Sequence, residues 1–218
     1  MDKVDLKIDW ATHEAAKYAC KNWHYSGCMP VAKIVKIGIW EGGKFIGVVL
    51  FSKGTCGHLF NRFGLDKKSG CELTRVALTT HKTPVSKIIS IALRFLKAQS
   101  PGLRLIVSFA AKSEGHHGGI YQAGNWIYDG ETTFKQEYML NGKRITDRTV
   151  SSWVLKGKIK RSNLIKASSD TKHRYLMPLD KEMAAQIAPL SKPYPKREKQ
   201  AMAVPTAQRR GSADLHAP

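Results

Sequence analysis

Apolar and polar residues alternate along VDLKI (4–8), the period of a strand with one buried face. From Ala11 to about Asn22 the period lengthens, with Ala15, Ala16, Ala19 and Cys20 at helical spacing. HYSGCMP (24–30) breaks that pattern. AKIVKIGIW (32–40) and KFIGVVLFS (44–52) then read as strands joined by EGG in a tight hairpin. Residues 53–70 form a Gly-rich loop holding His58 and Arg62, and ELTRVAL (72–78) is the next strand. Within it Arg75 alternates with Leu73 and Ala77 and is expected on their face. Thr83 as N-cap and Pro84 as first residue open a helix. Its apolar stripe is Val85, Ile88, Ile89, Ala92 and Leu96, and Pro101-Gly102 stops it. LRLIVSFA (103–110) is apolar nearly throughout, as in a strand covered on both faces.

A short helix is expected over His117–Ala123, with Asn125 as a left-handed turn residue, and NWIY and FKQEYML follow as strands. Asn141-Gly142 marks a hairpin before KRITDRTV. The order of strand, helix, hairpin, strand, helix, buried strand, short helix and final strands predicts an α/β fold, a mixed central sheet flanked by helices.

Composition narrows the partners. The 218 residues, 42% of them hydrophobic, suit one domain with a core, here residues 1–191. Residues 192–218, rich in Pro, Lys, Arg, Ala and Gln, form a basic, poorly ordered tail. Lys and Arg number 36 against 17 Asp and Glu, a formal charge of +19 that favours a polyanion, most simply nucleic acid. Cys20, Cys28, Cys56 and Cys71 show no metal-finger spacing and are expected as free thiols. No apolar run approaches membrane-spanning length and the start is too polar for a signal peptide, so a soluble protein of the cytoplasm is expected, with no membrane partner.

Several residues carry candidate chemistry. His24 and Tyr25 can act as acid and base, as N and O donors to a metal, or as a satisfied loop pair. Arg75 on an otherwise apolar strand needs an anion: Glu72, a phosphate or a developing oxyanion. His116-His117 lack a third spaced ligand and suit phosphate contact or capping better than metal binding. Ser86 can stabilise a first helical turn, while Trp126 and Tyr128 are expected in the core. No P-loop or dinucleotide fingerprint is present.

A buried strand, a short helix, then Tyr121 and Trp126 resemble the GCN5-related N-acetyltransferase pattern, with Asn125 in the usual glycine place. HYSGCMP, ELTRVALTTHKTPVSKII, SFA and GHHGGIYQAGNWIY together resemble the phage Mom family of adenine-modifying proteins, related to that superfamily. The resemblance runs from about Asn22 to the hairpin near Asn141, with YLMPLD and QRR further on. It implies conversion of adenine N6 in double-stranded DNA to a carbamoylmethyl derivative that shields phage DNA from host restriction nucleases, inside the host cell cytoplasm. A homodimer is compatible with it.

The resemblance assigns His24, Tyr25, Arg75 and Tyr121 to catalysis, with Tyr121 protonating the leaving group. It implies iron held by His24 and Tyr25, and acetyl-CoA or another acyl-CoA along Val76, Ala77, Thr83, Ser86 and Ser108. The family's SFA is followed by Asp, where this chain has Ala111. The competing functions are an acyl-CoA-dependent N-acetyltransferase of a protein or small amine, and a non-enzymatic basic DNA-binding phage protein.

Overall fold

Seven strands share one sheet in the order β1-β2-β3-β4-β5-β10-β6. The computed structural model describes residues 5–54, 58–133, 136–167 and 171–197. β1 (Leu6–Trp10) leads into α1 (His13–Trp23), whose first turn is capped by the Thr12 hydroxyl accepting from the Ala15 amide at 3.1 Å. β2 (Ile34–Glu41) and β3 (Lys44–Ser52) form the expected hairpin. Gly42 and Gly43 both take positive φ, 55° and 76°, as a primed turn requires.

β4 (Gly70–Leu78) crosses through α2 (Val85–Gln99) to β5 (Leu105–Ala111), which lies parallel to it. The other neighbouring strands of this sheet run antiparallel, so the expected mixed α/β architecture is observed. α2 begins one residue later than expected: Pro84 is the cap, and Thr83 lies outside the helix. Ile88, Ile89, Ala92 and Leu96 of its stripe are buried against Val49, Phe51, Leu73 and Ile106. On the opposite face Ala16, Ala19 and Cys20 of α1 pack on Val48, Leu50 and Ala77.

Those two clusters correct the face assigned to Arg75. Leu50 pairs with Arg75, but Phe51 pairs with Leu73, so Thr74 is an extra residue in β4. Such a bulge reverses the alternation across it. Arg75 therefore shares the α1 face with Ala77, while Leu73 points to the α2 face.

The bulge sits where the sheet forks. β4 and β5 hydrogen-bond only from Gly70–Leu73 against Leu105–Ser108, and beyond that point the strands part. Arg75–Leu78 keep their partners on β3 but have no strand on the β5 side. The gap is roofed by α3 (Gly119–Gln122), which lies within the His117–Ala123 span expected and is shorter than it at both ends. Asn125 adopts φ 57°, the left-handed turn foreseen for it, and β6 (Ile127–Glu131) follows.

The region after β6 is richer than the strands expected there. β7 (Glu137–Leu140) and β8 (Lys143–Thr146) form a hairpin on Asn141 and Gly142, at φ 49° and 73°. DRTV opens a helix, α4 (Asp147–Leu155), and β9 (Ile165–Ala167) completes a three-stranded sheet in the order β8-β7-β9. β10 (Lys172–Pro178) returns to the main sheet between β5 and β6, ahead of α5 (Lys181–Ile187). Trp126 and Tyr128 are buried, as expected.

The supposed tail begins on the body. The Lys192 amide donates to the Tyr128 carbonyl at 2.9 Å and the Tyr194 hydroxyl to the Trp126 carbonyl at 2.8 Å. Residues 198–218, QRR among them, and Cys56 lie outside the described residues. Cys20, Cys28 and Cys71 are free thiols. Among the described residues no helix is long and apolar enough to cross a membrane.

α5 offers a stability test away from the fork. The Asp180 carboxylate accepts from the Met183 amide at 2.7 Å and pairs with Arg104 at the start of β5. Arg104 first, then the amide, hold its pKa at about 2. Asp180→Ala should lower stability by about 1 kcal/mol at neutral pH. Because the folded-state pKa is depressed, that contribution is present above pH about 4 and fades as pH falls toward about 2. Urea unfolding at pH 7 and pH 2.5 checks this: the gap between wild type and variant should narrow at the lower pH.

Candidate active site

His24, Tyr25, Arg75 and Tyr121 come from three separate parts of the chain and line one cavity of about 650 Å3. α1 ends in its wall, so His24 and Tyr25 enter as the residues that leave the helix. Arg75 enters from β4 just past the bulge, and the GHHGG turn with α3 forms the far wall. Gly118 is needed there. It has φ 83°, and a Cβ on it would lie 2.3 Å from the Tyr175 ring.

Tyr121 is buried, with its ring between those of Trp126 and Tyr175, at centroid distances of 5.1 and 5.0 Å. Its hydroxyl lies 2.8 Å from Ser108 Oγ, which is itself 2.8 Å from the Leu73 carbonyl. The carbonyl can only accept, so the single Ser108 hydroxyl hydrogen goes to it, and Tyr121 donates to Ser108. Leu73 and Ser108 are the last paired residues before the fork. Burial pushes the Tyr121 phenol up to about 12. Tyr121 is thus a neutral phenol with its proton held in place.

His24 is also neutral. Burial, then the charge of Arg75, then His116, bring its pKa down to about 4. The Ser26 amide donates to His24 Nδ1 at 3.1 Å, which leaves the ring proton on Nε2. In that tautomer His24 presents a donor rather than a base. The Tyr25 ring stacks on His24 at 4.2 Å and meets the His116 ring edge-on at 5.1 Å. Tyr25 is 56% exposed, at the mouth. Partial burial raises its phenol above the ordinary value.

Arg75 donates from Nη1 to the Thr74 carbonyl at 3.1 Å, while its buried Nε finds no partner. A cation with an unmatched, desolvated donor at a cavity wall is suited to an incoming anion or a developing oxyanion.

The residues assigned to an acyl-CoA do not form one surface. Val76 lines the cavity, but Ala77 is fully buried beneath α1. Thr83 is buried, and its amide and hydroxyl both donate to Glu41 Oε1, at 2.8 and 2.6 Å. The Lys82 amide donates to Glu41 Oε2. A carboxylate of this chain therefore occupies the amides ahead of α2 where an incoming phosphate would have to sit. Ser86 lines a separate apolar cavity with Trp126 and Met177, and Ser108 is held by Tyr121 and Leu73. This set does not fit the phosphate end of acyl-CoA, although the unpaired edge of Thr74–Leu78 could pair with an extended amide chain.

Iron fits no better. Among the described residues no group of three or more His, Cys, Asp or Glu could hold a metal ion, and His24 Nδ1 is already taken by Ser26. A His–Tyr pair falls short of the donor sets iron uses.

Sequence reasoning missed Ser108 as the acceptor of the Tyr121 proton, and it missed the contribution of the tail. Gln122 Nε2 donates to the Pro195 carbonyl at 3.1 Å, which brings Arg197 to the cavity wall. The pattern P-Y-P-K-R, with two φ-restricting prolines, was the available signal.

The model of the Mom protein family matches residues 5–196. The chain is 26% identical over 206 residues to "Methylcarbamoylase mom" of Escherichia phage Mu, covering 88% of this chain and 84% of that protein. Solved structures similar to it include an aminoglycoside N-acetyltransferase, at 11% identity and TM-score 0.48, over 80% of this chain and 97% of the other. Another is a Bacillus subtilis acetyltransferase in complex with CoA, at 12% identity and TM-score 0.43, over 82% and 100%.

Proposed function

We propose, from the premise that this chain belongs to the Mom protein family, that it is a transferase that modifies DNA, placing a carbamoylmethyl group on the N6 amine of adenine. The observation that carries this is the convergence of His24, Tyr25, Arg75 and Tyr121 on one cavity, where Arg75 presents an unmatched buried donor. The net charge of +19 supports a polyanionic substrate. A cavity of about 650 Å3 lies within the range of small-molecule sites and suits a base taken out of the stack.

In this reading the target adenine enters past Tyr25, whose exposed ring stacks on the base. The His24 Nε2 proton donates to an acceptor on the base edge or the donor molecule. As the N6–CH2 bond forms, the bond from CH2 to the departing group breaks, and Arg75 stabilises the negative charge that develops on that group. Tyr121, neutral and fixed on Ser108, supplies a proton to the departing group, and the proton released from N6 returns to the phenolate. The donor of the carbamoylmethyl group is left open, since neither an acyl-CoA phosphate site nor an iron site is built from the assigned residues. Modified adenine would block restriction nucleases by filling the major-groove edge that they read.

The test is nucleoside analysis. Plasmid DNA from cells expressing the chain is digested and its nucleosides are resolved by mass spectrometry, for the wild type and for Ala111→Asp. The expected result is a carbamoylmethyl-adenine nucleoside, with the higher yield from the variant that restores the family's carboxylate. An unmodified adenine pool from both proteins overturns the proposal. Acetylated protein or amine without altered nucleosides would point instead to an N-acetyltransferase.

A further inference from the structure

Beside the active-site cavity lies a cleft of about 140 Å3 with a one-sided lining. Lys112, His116, His117, His173, Lys196 and Arg197 surround it, with Gly115 as the remaining wall. His116, His117 and Arg197 also line the larger cavity, so the two spaces share a rim. We propose that this cleft, built where the segment Lys192–Arg197 crosses the GHHGG turn, binds a backbone phosphate of the DNA strand whose base occupies the cavity. The proposal rests on the DNA-modifying reading above and adds to it a phosphate site.

Three observations carry it. The first is charge. Lys112 is engaged by Glu131 at 2.8 Å, and His173 Nδ1 lies 3.8 Å from the same carboxylate and 3.0 Å from the Tyr128 hydroxyl. Among the described residues no carboxylate pairs with His116, His117, Lys196 or Arg197. Cationic and imidazole donors gathered without a counter-charge match an anion.

The second is preorganisation. The segment is tied by Lys192 to the Tyr128 carbonyl, by Tyr194 to the Trp126 carbonyl and by Pro195 to Gln122. Gln122 also donates to the His117 carbonyl at 3.0 Å, so a single side chain couples the segment to the turn. Pro193 and Pro195 restrict the backbone between these ties. Lys196 and Arg197 thus reach the cleft from an ordered backbone, which lowers the entropy lost on binding.

The third is position. The shared wall of His116 and His117 puts a phosphate in the cleft directly beside the cavity. A flipped nucleotide remains covalently joined to phosphates on both sides, so a pocket for the base needs an anion site at its rim.

The test is duplex DNA binding by fluorescence anisotropy across a series of salt concentrations. Three proteins are compared: wild type, Lys196→Gln/Arg197→Gln, and Lys67→Gln/Lys68→Gln at the far end of β4 and β5. One direct phosphate contact contributes roughly 0.9 to the slope of log K against log salt. The cleft pair should therefore lower the slope by about 1 to 2, and the far pair should leave it unchanged. Equal losses from both pairs, or an unchanged slope for the cleft pair, overturns the phosphate site. If the cleft pair binds as wild type while adenine is still modified, the site fails and the enzymatic reading stands. Absence of DNA binding by the wild type sinks both.

Discussion

Tyr121→Phe should abolish most adenine modification, by roughly 10²- to 10⁴-fold in rate, while the protein stays folded. The substitution removes one oxygen and retains the ring packed between Trp126 and Tyr175. Ser108 keeps its bond to the Leu73 carbonyl, so no buried donor is orphaned. The stability cost should be about 1 kcal/mol, the loss of one neutral hydrogen bond. Ser108→Ala leaves the phenol in place but takes away its acceptor, and an intermediate loss of rate is expected. A merely structural tyrosine would show the reverse: a rate like wild type and a matching fall in stability for both variants. The measurements are the yield of modified nucleoside per unit time and the urea midpoint. Nucleoside yield unchanged in Tyr121→Phe would remove Tyr121 from the chemistry.

pH adds a second readout to the same variant. The wild-type phenol, pushed to about 12 by burial, stays protonated through the neutral range. Its titration should therefore place no alkaline limb on the rate below about pH 10, and Tyr121→Phe should leave the profile's shape unaltered while lowering it throughout. An alkaline limb near neutrality that disappears in the variant would contradict the buried, neutral phenol.

Local features were legible in the sequence, and features that depend on distant partners were not. The Gly42-Gly43 and Asn141-Gly142 turns and the positive φ of Asn125 follow from the residues that occupy them. The apolar stripe of α2 declared its buried face. β10 was missed because KHRYLMP gains its place only through pairing with β5 and β6, strands remote along the chain. DRTVSSWVL was read in part as strand, its β-branched residues masking the helical spacing of Val150 and Trp153.

The site divides along the same line. Family resemblance named four residues that the fold then brings into one cavity. It could not give the Tyr121–Ser108–Leu73 chain, which needs β4 and β5 to part after that pair. Nor could alternation place Arg75, because a single extra residue in β4 reverses its face. The acyl-CoA residues were assigned by motif position, yet Glu41 arrives from β2 to fill the amides they were meant to offer.

Arg75→Met is the sharpest test of how the site uses charge. If Arg75 stabilises developing negative charge, its loss should lower the rate by roughly 10²- to 10³-fold. Stability should move the other way. The wild-type guanidinium holds a buried Nε without a partner, a cost of about 1 to 3 kcal/mol that an apolar side chain of similar length removes. The variant should therefore melt no lower than wild type, the opposite of what a structural salt bridge would give. Arg75→Lys should recover only part of the rate, since an ammonium cannot reproduce the planar donor set. The variant also reports on His24. Burial is the main cause of its low pKa and persists, but the repulsion from Arg75 is gone, so the value should rise from about 4 while staying below the ordinary histidine value. Protonated His24 would be lost as a neutral partner of the Ser26 amide. The acid limb of the residual activity should accordingly move to higher pH in Arg75→Met. A fall in melting temperature with an unshifted acid limb would assign Arg75 to the scaffold instead of the reaction.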